Sequence, residues 1–167
     1  MCNIAIKAEN DLIIRSVQVD DAEILFKWWN DGSVMEHAGF PNGLGISIEE
    51  CRKYAESKGL FIIEFQNEPI GEMSYREKTS SAVEIGIKIC ETSKQNKGFG
   101  TILLKGFINW LFEQGYTKIK IDTNAKNKRA QAVYEKIGFK FVEIKENSWK
   151  NQLGELQSSV HYEMDKV

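Results

Sequence analysis

The run Gln95-Asn96-Lys97-Gly98-Phe99-Gly100-Thr101 constrains this chain more than any other stretch, because of what stands on either side of it. Ahead of it, Val83, Ile85, Ile87 and Ile89 alternate with Glu84, Gly86 and Lys88, the period-two pattern of a strand. Behind it, Ile102-Leu103-Leu104-Lys105-Gly106-Phe107-Ile108-Asn109-Trp110-Leu111 reads as a helix. A strand, a short glycine-bearing loop and a helix N-terminus together make an anion site. Unpaired N–H groups converge at the helix start, and glycines let a ligand approach the backbone. The expected ligand is a phosphate-bearing cofactor; a plain strand-to-helix turn is the alternative.

What the loop lacks narrows the cofactor. A nucleotide P-loop needs Lys-Ser/Thr after its last glycine, and here Gly100 is followed by Thr101-Ile102. The third glycine of a dinucleotide fingerprint would fall on Leu103. A second block follows: the strand-like Ile119-Lys120-Ile121-Asp122-Thr123, then Asn124, Arg129-Ala130 and Tyr134-Glu135-Lys136-Ile137-Gly138-Phe139. Ala130, Val133 and Ile137 fall on one helical stripe, and Gly138 can end that helix in a left-handed conformation. Together, Gln-x-x-Gly-x-Gly and Tyr-Glu-Lys-x-Gly-Phe resemble the two signatures of the GNAT superfamily of N-acetyltransferases. The resemblance is firm from Glu64 to Phe139 and looser elsewhere. It implies acetyl-CoA as co-substrate, no metal, and a mixed α/β fold whose central, mostly antiparallel twisted sheet is flanked by helices.

Length and composition are consistent with one domain over residues 1–167. Apolar runs fall short of a membrane span and the N-terminus lacks a basic-then-apolar signal pattern, so a cytoplasmic location without a membrane partner is expected. Cys2, Cys51 and Cys90 are too few and too scattered to indicate a disulfide framework or a zinc site. A net charge of −2, with no basic stripe interleaved with aromatics, argues against a nucleic-acid partner. A homodimer is compatible with the chain, but no stripe on it specifies one.

Along the chain, Leu12-Ile13-Ile14-Arg15 begins a strand. Asp20 and Glu23 resemble a capping box opening a helix through Trp29, with Gly32 beyond its end. Ser47 and Glu50 repeat that signal for a helix expected to stop at Gly59. Residues 60–65 and 70–75 form a hairpin around Gln66-Asn67-Glu68-Pro69, and strands are expected near residues 139–144 and 160–164.

Acetyl transfer needs a neutral amine, stabilisation of the carbonyl oxygen and a proton for the departing thiolate. The resemblance implies that Gln95, Asn96, Lys97, Gly98, Phe99, Gly100 and Thr101 hold the pyrophosphate. It implies too that the backbone of Lys88, Ile89 and Cys90 contacts the pantetheine arm, one of their amides polarising the thioester; a fully paired sheet ladder is the alternative. Tyr134 stands where the family often has the tyrosine that protonates the sulfur. Its phenol, near pKa ~10, gives a proton to a thiol near ~8.5 only slightly uphill. A core tyrosine is the alternative. Asn127 is expected on the pantetheine arm or as a helix cap. Arg129, with Lys126 and Lys128, is expected near the ribose 3'-phosphate or in a solvated turn.

Glu84, opposite the apolar face of its strand and beside Gly86, is the first candidate for the general base, with Asp122 and Glu72 behind it. The acceptor pocket of the family is built mainly from the N-terminal helices, the segment between them and the C-terminal strands. That draws in Trp28, Trp29, His37 and Phe40, with Glu72 from a neighbouring strand. The text from Leu12 to Asp31 resembles the branch acetylating protein N-termini or small amines, while the later motifs also resemble aminoglycoside 6'-N-acetyltransferases. For a polycationic acceptor, Glu36, Glu64, Glu72 and Glu84 could line the pocket. Direct transfer in a ternary complex is expected over a relay through Cys90. A non-catalytic acyl-CoA-binding module is the rival.

Overall fold

A computed structural model describes residues 3–167; Cys2 lies outside the described residues. Among the described residues, eight strands and five α-helices make a mixed α/β chain, distributed over two compact units. The first unit takes in residues up to Val17, Ser57–Lys120 and Met164–Val167; the second takes in Gln18–Glu56 and Ile121–Glu163.

In the first unit β1 (Ala5–Lys7), β2 (Leu12–Ser16), β3 (Leu60–Phe65), β4 (Glu68–Glu77) and β5 (Ala82–Ile89) pair antiparallel, each with the next. Phe61, Ile62 and Ile63 are all buried, as in a strand covered on both faces. The β3–β4 turn is tighter than the sequence suggests. Gln66 and Asn67 both take positive φ, 51° and 67°, the conformation of a two-residue hairpin turn. Glu68 and Pro69 therefore join the strand, where the register shifts at Ile63/Glu64. Helix α4 (Phe99–Glu113) buries Leu103, Leu104, Phe107, Ile108 and Leu111, the three-and-four spacing of a helix with one apolar face. Phe61 meets Phe107 edge-on at 5.3 Å and Trp110 at 5.6 Å.

The second unit holds α1 (Ala22–Trp29), α2 (Gly32–Met35), α3 (Ile48–Tyr54) and α5 (Lys128–Ile137), β7 (Lys140–Lys150), and most of β6 (Lys118–Asn124) and β8 (Leu156–Asp165). The capping box before α1 lies earlier than Asp20: the Gln18 amide donates to Asp21 Oδ2 at 2.7 Å, and a single 3-10 turn, Val19–Asp21, precedes the helix. Helix α1 ends at Trp29 with Gly32 beyond its end, as read; Gly32 in turn is the first residue of α2, which Asp31 caps by accepting from the Ser33 amide at 2.9 Å. The Ser47–Glu50 box forms as read, with reciprocal bonds of 3.0 and 3.2 Å. However, α3 ends at Tyr54; Gly59, at φ +91°, lies in the turn just before β3 and its carbonyl accepts from the Tyr75 amide. The C-terminal strands are longer than expected and pair as an antiparallel hairpin. Gln152, near its tip, donates to the Gly43 carbonyl at 2.9 Å and accepts from the Asn42 amide at 2.9 Å, tying the 36–45 segment to the hairpin.

Candidate active site

The glycine loop belongs to the first unit. A 3-10 turn (Thr92–Lys94) leads from β5 into it, and Asn96 and Gly98 then take left-handed φ values of 60° and 77°. Left-handed residues alternating with others in a short loop are the conformations from which an anion nest is built. None of the N–H groups from Asn96 to Thr101 has an acceptor among the described residues. A Cβ built on Gly98 or Gly100 would meet nothing within 4 Å, so the glycines border open space. Phe99 is the exception in this run. Its ring is buried, 4.8 Å from the Phe65 ring, and only its backbone faces the loop. The Gln95 side chain donates to the Ile89 carbonyl at 2.9 Å, while Lys94 sits over the Phe65 ring at 5.2 Å and Lys97 is exposed. The row of amides, the open glycines and the lysines fit a pyrophosphate in shape and charge.

At the end of β5 the ladder is partly closed. The Cys90 amide donates to the Ile70 carbonyl at 2.8 Å, so it is engaged and cannot serve as the amide polarising a thioester. Burial, and after it Glu72, pushes the Cys90 thiol up, which leaves it protonated and inert as a nucleophile. Glu84 is not a desolvated carboxylate. It is 30% exposed and held between Arg76 at 3.1 Å and Lys78 at 3.2 Å, both of which pair with its charged form. Glu72 faces Lys88 at 3.7 Å.

The second unit carries Tyr134 on α5. Its ring is edge-on to Phe139 at 6.0 Å and Tyr162 at 5.8 Å, and the residue is 5% exposed. Among the described residues nothing hydrogen-bonds its hydroxyl. Among the described residues no buried side-chain oxygen or nitrogen lacks a partner, so this hydroxyl, on an otherwise buried ring, opens to accessible space that a ligand can reach. Burial first, then Asp122 and Tyr162, pushes this phenol up, so it stays protonated and can only donate. Asn127 caps α5, its Oδ1 accepting from Ala130 at 3.2 Å, which leaves its amide nitrogen free for a second partner. Lys126, Lys128 and Arg129 are exposed at the same helix start.

The family model described as an acetyltransferase (GNAT) domain matches residues 11–140. This chain belongs to the GNAT acetyltransferase family. Solved structures along its whole length agree. A GNAT-family acetyltransferase from Bacillus anthracis superposes with a TM-score of 0.83 at 21% identity, over 97% of this chain and 98% of that one. RimL, a ribosomal L7/L12 alpha-N-protein acetyltransferase in complex with coenzyme A, gives 0.86 at 18% identity over 97% and 98%. The microcin C7 self-immunity acetyltransferase MccE, in complex with acetyl-CoA and AMP, gives 0.80 at 16% over 95% and 94%. At these identities the structures establish the GNAT fold.

The residues expected at the acceptor end of this GNAT chain have differing surroundings. Trp28 and Trp29 are both buried, at 1% and 7% exposure, because α1 buries Ala22, Leu25, Trp28 and Trp29 along a stripe wide enough for two neighbouring positions. They are core residues. Trp29 is edge-on to Tyr54 at 5.3 Å. His37 is 53% exposed, 4.0 Å from Glu36, and Phe40 is half-buried. Asp122 lies 3.8 Å from His161 Nδ1, and His161 Nε2 is 2.8 Å from the Ser159 hydroxyl. Reading by motif passed over Ser159 and His161. Their spacing of two on a strand was the available signal, but the pairing with Asp122 is tertiary. Asn124 and Gln157, buried and bonded at 2.9 Å, continue this polar row. Among the described residues, no group of His, Cys, Asp and Glu is placed to hold a metal ion, and no helix is long and apolar enough to cross a membrane.

Proposed function

We propose that the chain transfers the acetyl group of acetyl-CoA directly to a primary amine, within one N-acetyltransferase domain spanning residues 1–167. The observation that carries this is the uninterrupted row of unpaired amides from Asn96 to Thr101 around two open glycines. Acetyl-CoA supplies an activated acyl group on sulfur. The loop holds the pyrophosphate by its N–H groups, the Lys88 and Ile89 backbone and the Asn127 side chain meet the pantetheine arm, and Arg129 meets the ribose 3'-phosphate. Tyr134, its ring buried and its hydroxyl without a hydrogen bond among the described residues, gives its proton to the sulfur as the bond to carbon opens.

Three of the four carboxylates that would have lined a polycation pocket are already neutralised. Glu64 pairs with Arg15 at 3.3 Å, Glu72 with Lys88 and Glu84 with two cations. That favours an acceptor with a single amine, a small molecule or a peptide N-terminus, over an aminoglycoside. The relatives span both classes: one acts on a ribosomal protein N-terminus, another is a self-immunity enzyme with AMP bound. The location consistent with this reading is the cytoplasm.

Calorimetric titration of acetyl-CoA, followed by CoA release across small amines, amino acids, short peptides and aminoglycosides, tests the reading. Binding with release for one amine class supports it and identifies the acceptor. Binding with no release for any class favours the rival, a non-catalytic acyl-CoA-binding module, and absence of binding removes both.

A further inference from the structure

We propose that the acceptor amine is deprotonated through a Ser159–His161–Asp122 relay, with Ser159 touching the amine, His161 taking the proton and Asp122 orienting the imidazole. The inference rests on the acetyl-transfer reading above. It replaces Glu84, whose carboxylate is engaged by Arg76 and Lys78.

Ser159 and His161 are two apart on β8, so their side chains leave the same face of the strand. Ser159 Oγ and His161 Nε2 are 2.8 Å apart, a good hydrogen bond whose direction depends on the tautomer. On its other side the ring presents Nδ1 to Asp122 Oδ2 at 3.8 Å, an ion-pair rather than a hydrogen-bond distance. The charged groups facing His161 come from both neighbouring segments. Asp122 stands on β6, and Glu143 is its register partner on β7, 3.8 Å from Lys145; Glu163 is two residues along on β8 itself. With a carboxylate at Nδ1, the neutral ring holds its proton there, and Nε2 is left as an acceptor for the Ser159 hydroxyl. This is the arrangement of a nucleophile-and-base chain, with a serine that here passes a proton and forms no acyl bond. Asp122 also acts on the Tyr134 phenol through space, so one carboxylate influences both the proton acceptor and the proton donor.

The step balances. The amine N–H bond breaks as Ser159 Oγ takes that proton and delivers its own to His161 Nε2. The nitrogen electron pair closes on the acetyl carbon, the carbon–sulfur bond opens, and the sulfur takes the Tyr134 proton. Solvent then returns the imidazolium proton to the phenolate. Amine and thioester have become amide and thiol.

The sequence contains two histidines, so 15N-labelled imidazole spectra resolve His161 from His37, the other one, by loss of its signals in His161→Gln. The expected neutral tautomer of His161 carries its proton on Nδ1; a proton on Nε2 overturns the relay whether or not turnover has been seen. In kinetics, His161→Gln should lower kcat by about a hundredfold and erase the acidic limb of the pH–rate profile, with acetyl-CoA affinity unchanged. Ser159→Ala should lower kcat by about tenfold and keep that limb, shifted. A retained limb and rate in folded His161→Gln, checked by its thermal midpoint, would sink the relay while leaving acetyl transfer standing. A wild-type protein that binds no acetyl-CoA would remove both.

Discussion

Gln95 donates its side-chain amide to the Ile89 carbonyl at 2.9 Å, so the first residue of the glycine loop is fastened to the last residue of the strand before it. The bond does two things. It fills a carbonyl at the end of the β5 ladder, and it holds the following amides in the orientation that leaves them without acceptors.

Loss of this tether should loosen the loop more than the fold. A neutral hydrogen bond contributes about 1 kcal/mol, and here most of it acts on the loop. Gln95→Ala should therefore weaken acetyl-CoA binding by about five- to tenfold, with kcat barely changed. Isothermal titration decides it, and unchanged affinity would show that the loop is held by its own turns.

Gly98 caps α4 at φ +77° with open space where a Cβ would be. Gly98→Ala thus meets strain without a clash, about 1–2 kcal/mol for a left-handed non-glycine residue. A protein of this size loses about 2–4 °C of Tm per kcal/mol. The expected result is a folded protein with a thermal midpoint a few degrees lower and weaker acetyl-CoA binding. A midpoint equal to wild type would mean that the loop relaxes to a different conformation.

Tyr134→Phe separates chemistry from packing. The hydroxyl makes no hydrogen bond, whereas the ring packs on Phe139 and Tyr162. Removing the oxygen alone should leave the urea midpoint within about 0.5 kcal/mol of wild type while lowering kcat by about a hundredfold. Equal turnover in the variant would return Tyr134 to the core.

Alkaline stability follows from two other tyrosines. The hydrogen bond to Glu77, then burial, pushes Tyr116 from an ordinary 10.0 up to about 12. Burial, then the bond to Glu135 at 3.0 Å, does the same to Tyr162. Between these values the folded state keeps protons that the unfolded chain has released. The unfolded state binds fewer protons, so stability falls as pH rises. The contribution is fully present below pH 10.0 and is lost as pH climbs toward 12. Urea midpoints should fall between about pH 10 and pH 12, and less steeply in Tyr116→Phe. An equal slope in that variant would mean other groups set the alkaline limit.

The loop and the helices with strong local signals were legible in the residues themselves. Gln95 to Thr101, the Ser47–Glu50 box and the Gly138 stop depend on backbone conformations and caps that a few neighbouring residues dictate. The family followed from the same local text, since its two signatures are each confined to one strand–loop–helix passage. What sequence could not decide is whatever two distant segments settle together. Glu84 reads as a free strand carboxylate until Arg76 and Lys78 are brought to it; Trp28 and Trp29 read as a pocket wall until the width of the α1 stripe is set by packing. His161 reads as nothing until β8 lays it between Asp122 and Glu143. Local structure is chosen by near neighbours, whereas the charge and dryness of a side chain are set by atoms that only the folded chain assembles around it.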